Sequence, residues 1–216
     1  MIFALSGVDC SGKSTQIDRL LERLEAHGRA AQVRWYRPGY SDELDALRAA
    51  LRRKSGVLPP PGQGAAREQA FSRPWVRRVW IAVALLDTVW TYGVKLRCSS
   101  WLGRWIICDR YVWDAIVDLH LRFPQHVRLD GKVALTLRAL CPRPRVNVLL
   151  HLSAEVAQAR QERKAEPFPD SRETFLARHG IYDGWSRDGR FHVIDAEASI
   201  EEVHEEIVAL LPGGGR

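Results

Sequence analysis

Gly7-Val8-Asp9-Cys10-Ser11-Gly12-Lys13-Ser14-Thr15 is the stretch that decides how this chain folds. It fits the pattern G-x-x-x-x-G-K-[ST] in full, and its flanks fit too. Ile2-Phe3-Ala4-Leu5-Ser6 before it reads as a buried strand. Ile17, Leu20, Leu21 and Leu24 after it recur at i, i+3, i+4 and i+7, which predicts a helix with one apolar face. Gly7 and Gly12 let the backbone turn tightly, so that successive N–H groups point inward at phosphate oxygens. The helix N-terminus adds roughly half a positive charge behind that nest. Lys13 can reach the outer phosphates, and the Ser14 hydroxyl can ligate Mg²⁺. The ligand so described is a nucleoside triphosphate. Asp9 is electrostatically awkward beside an anion, so it either faces another group, such as a sugar hydroxyl, or braces the loop.

Outward from the loop, strand-like and helix-like patterns alternate. Ala31 to Tyr36, Trp105 to Asp109, Val146 to Leu152 and Phe191 to Asp195 are the further strand candidates. A helix carrying Leu44, Leu47 and Leu51 is expected after the second strand, then a loop over residues 54–65 with Pro59-Pro60-Pro61. Pro74 can open a long helix running to about Cys98, and Ser199 with Glu202 has capping-box spacing ahead of the last one. The pattern predicts an α/β fold, with about five parallel strands covered by helices on both faces. It also predicts one domain over residues 1–216.

Composition narrows the function classes. The chain has 216 residues, 46% hydrophobic and 27% charged, with net charge +6. That excludes disorder and a disulfide-stapled miniprotein. Only five of the 32 basic residues are Lys, so the chain is Arg-rich, which suits anionic ligands or reflects codon bias alone. No block of five or six basic residues occurs, so nucleic acid is not the expected partner. Cys10, Cys98, Cys108 and Cys141 form no CxxC pair, and Met1 runs straight into a strand, so a reducing cytoplasm is expected. Val79 to Val94 is apolar, but it spans 16 residues and contains Asp87. A membrane span needs ~20 apolar residues, so a buried core helix is expected instead. Most of the eight Trp residues are likewise expected to pack inside.

Beyond the phosphate loop, Arg37-Pro38-Gly39, Asp109-Arg110-Tyr111, Leu152-Ser153-Ala154-Glu155-Val156 leading to Arg160 and Arg163, and Val193-Ile194-Asp195-Ala196 follow in order. With these, the chain resembles the thymidylate kinases, among the nucleoside monophosphate kinases of P-loop NTPase fold. The resemblance implies transfer of the γ-phosphoryl group of Mg·ATP to a nucleoside monophosphate, with dTMP the default acceptor. It implies that Gly7, Ser11, Gly12, Lys13, Ser14, Thr15 and Ala196 hold the nucleotide, and that Ser14 and Asp109 hold the metal. Asp9, Arg37, Arg110 and Tyr111 would face the acceptor, with Arg37 and Arg110 on its phosphate and Asp9 on the sugar 3′-hydroxyl. Lys13, Asp109, Arg110, Arg160 and Arg163 would carry the transfer. Some family members have an Arg where this chain has Cys10. Without it, a lid at about residues 160–173 must supply the charge, from Arg160, Arg163, Lys164 or Arg172. A homodimer packed through the long helix is also implied.

The chain departs from the family at the base. Members stack an aromatic residue on thymine, with an Arg four residues later to read it; the corresponding stretch here is Val83-Ala84-Leu85-Leu86-Asp87. Asp87 accepts hydrogen bonds rather than donating them, so it would favour an amino-bearing base or a hydroxyl-rich acceptor; Trp80 or Trp90 could replace the ring. The Arg-Glu-Pro-Gly-Gly element is reduced to Arg37-Pro38-Gly39-Tyr40. Two alternatives follow: a kinase of the same fold for another nucleotide or a phosphorylated small molecule, or an ATP-binding regulatory module that transfers nothing. Replacing Lys13 by Ala should abolish transfer while leaving the far-ultraviolet circular dichroism spectrum unchanged; wild-type-like turnover would remove the loop from the reaction.

Overall fold

The computed structural model describes residues 1–38, 65–164 and 171–212. Five strands form one parallel sheet in the order β2-β3-β1-β4-β5: β1 (Ile2–Ser6), β2 (Ala31–Trp35), β3 (Trp105–Asp109), β4 (Val146–His151) and β5 (His192–Asp195). The described helices are α1 (Lys13–Ala26), α2 (Ala65–Ser72), α3 (Pro74–Trp101), α4 (Val112–Arg122), α5 (Lys132–Leu140), α6 (Ala154–Lys164), α7 (Arg172–Ser186) and α8 (Ile200–Ala209). The expected helix at Leu44, Leu47 and Leu51, the loop at 54–64, Gly39, Tyr40 and lid residues 165–170 lie outside the described residues.

β1 is central because all five of its residues are buried, Ala4 and Leu5 completely. A side chain of Leu or Phe size withdrawn from water contributes roughly 1.5–3 kcal/mol, so Phe3 and Leu5 anchor the sheet. Phe3 pairs with Ile107 on one side and with Val146 on the other. The chain leaves β1 toward β2 on one flank and later crosses to β4 on the other. That reversal puts the loop after β1 at the switch point, where α/β sheets bind ligands beyond the carboxyl ends of their strands.

α3 is longer than its apolar core suggests. It runs as α-helix over Pro74–Thr88, widens to π-helix over Val89–Leu96 and returns to α-helix over Arg97–Trp101. At 28 residues it is long and apolar enough, by length and composition, to cross a membrane. One face nevertheless lies in the core through Val76, Trp80, Ile81, Ala84, Tyr92 and Leu96. The widened segment carries Tyr92 inward, where its hydroxyl donates to the Arg110 carbonyl at 3.0 Å and its ring packs on Tyr111 at 4.6 Å. π segments of this kind recur at functional sites. The opposite face is not buried as expected: Leu86, Trp90 and Val94, four residues apart, are exposed.

The tryptophans correct a second expectation. Trp80, Trp113 and Trp185 are buried, but Trp35, Trp75, Trp90 and Trp101 are exposed. Several arginines lie on aromatic faces rather than waiting for anions. Arg190 sits 4.7 Å from both the Trp113 and Trp185 rings, Arg138 sits 4.4 Å from Trp113, and Arg29 sits 5.0 Å from Trp105.

One buried carboxylate ties the layers together. Asp114, 1% exposed in the first turn of α4, accepts from the Ser6 hydroxyl at 2.6 Å, the Tyr111 N–H at 2.9 Å and the Tyr182 hydroxyl at 2.6 Å. These partners belong to β1, the α4 N-terminus and α7. Asp114→Asn replaces one acceptor oxygen by a donor facing a hydroxyl or an N–H. The variant should lose about 1–3 kcal/mol of unfolding free energy, read from chemical denaturation; an unchanged midpoint would show the network to be dispensable.

Candidate active site

The loop between β1 and α1 has the backbone its sequence requires. Gly7 adopts φ +148°, and a Cβ there would lie 2.7 Å from the Leu150 carbonyl oxygen and 2.8 Å from the Ser11 hydroxyl. Gly12, at φ +92°, enters α1 in the left-handed region. Lys13, 7% exposed, folds over the loop and donates to the Gly7 carbonyl at 3.0 Å, the Val8 carbonyl at 2.7 Å and the Ser11 hydroxyl at 3.3 Å. Ser11 is buried, while Ser14 and Thr15 stand exposed at the helix start.

Opposite the loop, β3 ends in Asp109-Arg110. The register sets Leu5 beside Asp109, and the Arg110 N–H donates to the Leu5 carbonyl at 3.0 Å. Among the described residues, Arg110 and Cys10 are the non-glycine ones with positive φ, at 74° and 64°. An Arg held there by flanking hydrogen bonds stores strain of the kind that clusters at functional sites. The Arg110 guanidinium pairs with the Asp9 carboxylate in a short, partly buried contact. Arg37, just beyond β2, lies 3.7 Å from Asp118, which also accepts from the buried Arg178 at 2.5 Å.

The electrostatics of this cluster are coupled. Burial drives the Lys13 ammonium down, and the Arg110 charge adds to the shift; Asp9, Asp109 and Asp114 only partly offset it, leaving a pKa of about 8. Burial raises Asp9, but Arg110, Lys13, Arg178 and Arg37 outweigh it and hold the carboxyl below its ordinary value. Asp109 goes the other way: burial raises it, and Lys13 and Arg110 do not fully compensate. Burial lowers Arg110, but Asp9, Asp118 and Asp114 reverse the shift and fix its charge. Asp109 Oδ1 is buried with no hydrogen-bond partner.

The other expected residues are placed as follows. Ala196 is buried, and its N–H donates to the His151 carbonyl at 2.7 Å, where β4 and β5 end. Arg160 is partly buried on α6 near Glu197, whose carboxyl is lowered chiefly by hydrogen bonds from Ser153 and to a smaller extent by Arg160, and Arg163 is exposed one turn on. Among the described residues, neither is hydrogen-bonded to the phosphate loop. Tyr111 is turned into the core, its hydroxyl donating to the Pro142 carbonyl at 2.5 Å. Asp87 is completely enclosed on α3, so its carboxylate presents no surface to a ligand. Asp118, Arg178 and Tyr182 were not singled out from the sequence. Asp114 had one local signal, an acid three residues after a helix-capping position.

The chain is similar to known thymidylate kinases. The family profile described as thymidylate kinase matches residues 89–207, starting beyond the phosphate loop. The chain is 31% identical over 220 residues to the thymidylate kinase of Rhodopirellula baltica, covering 97% of this chain and 79% of that one. It is 28% identical over 222 residues to that of Chromohalobacter salexigens, covering 96% and 92%. Identity to the Symbiobacterium thermophilum thymidylate kinase is also 28%, over 221 residues, covering 98% and 92%.

A Lys with a lowered pKa loses its charge early as pH rises. Because kcat/KM reports the free enzyme, kcat/KM for ATP should fall once the pH passes about 8, well below the usual lysine range. A profile flat to pH 10 would show that Lys13 keeps its proton despite its burial.

Proposed function

The chain belongs to the thymidylate kinase family, and on that premise we propose how its residues divide the work. It is an ATP-dependent nucleotide kinase of thymidylate kinase type, and such kinases use ATP with Mg²⁺. The observation that carries the assignment of roles is the convergence of Lys13, Asp109 and the Arg110–Asp9 pair at the carboxyl ends of the central strands.

The residues suit the expected ligands. A glycine-lined nest backed by the α1 N-terminus and closed by a buried ammonium fits a polyphosphate. The unpartnered Asp109 Oδ1 and the exposed Ser14 hydroxyl are hard oxygen donors of the type Mg²⁺ prefers. Bound Mg²⁺ draws charge from the phosphate oxygens and eases transfer. Gly7, Ser11, Gly12, Lys13, Ser14, Thr15 and Ala196 hold the nucleotide. Arg110 and Arg37 hold the acceptor's phosphate, and Asp9 is oriented by Arg110 so that its second oxygen can meet a sugar hydroxyl. Tyr111 supports Arg110 from behind, as a positioning residue. Arg160 and Arg163 deliver charge when a lid at about 160–173 closes, excluding water from the transferring group.

The whole chain acts as one kinase domain on small-molecule nucleotides, in the cytoplasm, away from nucleic acid and membrane. Its exposed stripe Leu86, Trp90, Val94 is the surface through which two copies pair as a homodimer.

Thymidylate is the default acceptor. A second reading, another nucleoside monophosphate or a phosphorylated small molecule, is favoured by the Val83–Asp87 stretch. It supplies no ring, and its one polar side chain, Asp87, is enclosed. ADP release with Mg·ATP and a panel of dTMP, dUMP, other monophosphates and free nucleosides distinguishes the two. The expected result is saturable turnover with dTMP; silence with dTMP beside turnover on another acceptor transfers the function to that substrate.

A further inference from the structure

The chain segments that carry the two acceptor-side arginines lean on one ring. Tyr36 directly precedes Arg37, and Tyr111 directly follows Arg110. Tyr92, 1% exposed in the widened segment of α3, packs against both. Its ring centroid lies 4.9 Å from that of Tyr36 and 4.6 Å from that of Tyr111. β2 and β3 are paired as far as Trp35 and Asp109. Beyond that pair the ladder stops, and Tyr92 bridges the two departing chains.

The backbone of Arg110 needs such a support. At φ 74° it lies in the left-handed region, which a residue with a Cβ keeps only where its surroundings hold it there. Two hydrogen bonds do so. The Arg110 N–H donates to the Leu5 carbonyl, and the Arg110 carbonyl accepts from the Tyr92 hydroxyl, each at 3.0 Å. The first comes from the neighbouring strand; the second comes from a side chain on a helix that otherwise stands behind the site. Burial holds the Tyr92 hydroxyl well above the ordinary tyrosine range, so it stays a donor throughout the neutral range. The height of the helix is fixed as well. A Cβ on Gly93 would lie 3.2 Å from the Leu140 carbonyl oxygen, and Arg97, one turn on, donates to that same carbonyl at 2.7 Å.

We propose that Tyr92 is a positioning residue for phosphoryl transfer: it holds Arg110 in its left-handed conformation and sets the spacing of Arg110 and Arg37, so that both guanidinium groups meet one acceptor phosphate. The ring is too deeply buried to touch a ligand, so it acts through the two arginines. Two guanidinium groups grip one phosphate only at a set separation, because the donors of each lie in a rigid plane. The widened segment Val89–Leu96 thereby gains a task in the reaction. The inference rests on the assignment of Arg37 and Arg110 to the acceptor's phosphate given above.

Steady-state kinetics of the full chain test the proposal, with Mg·ATP and dTMP or the monophosphate that the panel above shows to be turned over. Tyr92→Phe keeps the ring and removes the hydroxyl. Its acceptor KM should rise about tenfold while the KM for ATP stays within about twofold, because Tyr92 packs on the acceptor side alone. Gly93→Ala keeps the hydroxyl but moves it, since the new Cβ pushes α3 off the Leu140 carbonyl. Its acceptor KM should rise about threefold, again without a change for ATP, and it decides the question should Tyr92→Phe fail to fold. An unchanged acceptor KM overturns the proposal, whatever happens to the melting temperature. A parallel rise of both KM values also overturns it, by revealing a general loss of structure. Arg110→Ala separates this failure from that of the acceptor seat. If Arg110→Ala leaves the acceptor KM unchanged, the seat is misassigned and the proposal falls with it. A raised KM in Arg110→Ala beside an unchanged one in Tyr92→Phe overturns the role of Tyr92 alone.

Discussion

A carboxylate with almost no contact with water holds this molecule in register. Asp114 joins the residue that ends β1, the backbone that follows Arg110, and the α7 helix that carries Arg178. Each partner belongs to a different part of the fold: Ser6 precedes the loop after β1, Tyr111 follows Arg110, and Tyr182 lies one helical turn beyond Arg178. Burying a charge is expensive unless hydrogen bonds replace the lost water, and here three donors do so. Disturbing any one element therefore strains the other two. The loop after β1 and the backbone after Arg110 thus share one support, the same Asp114 oxygen.

Around that centre, charges of opposite sign are interleaved. Asp9 lies against Arg110, and Asp118 lies between Arg37 and Arg178. Four cationic side chains near one loop would repel each other if bare. The interleaved carboxylates keep the cluster folded, and the Arg37–Asp118 pair, half exposed on its arginine side, is the one weak enough for a phosphate to compete with it. The cationic side chains are thereby gathered at the loop without the repulsion they would otherwise suffer.

Much of this was legible in the sequence. Buried parallel strands read as unbroken apolar runs, so Ile2–Ser6 and Trp105–Asp109 lie where their composition predicts, and the others shift by one residue at an end. The loop was legible because Gly7, Gly12 and Lys13 answer to local geometry alone. Asp118 and Arg178 were not, because sixty residues separate them and only the packing of α4 on α7 brings them together. The tryptophans misled for a related reason: spacing locates a face of a helix but does not say what covers it. Trp90 and Trp101 occupy an apolar stretch, yet stand 48% and 78% exposed. The excess of arginine was also only half readable, since Arg138 and Arg190 stack on tryptophan faces in the packing, Arg190 while also pairing with Asp188.

The widened π segment of α3 has a consequence for the evolution of chain length. A helix accommodates an inserted residue by opening one turn instead of breaking. Val89–Leu96 is such an accommodation, with Tyr92 at its bulge reaching the Arg110 carbonyl. Removing one residue from this segment would restore a plain ladder and rotate everything after it by about 100°. The buried stripe of Pro74–Thr88 and the buried Leu96 would then no longer lie on one face. A single-residue deletion in this stretch would therefore cost more than a substitution, and it would withdraw Tyr92 from the Arg110 carbonyl.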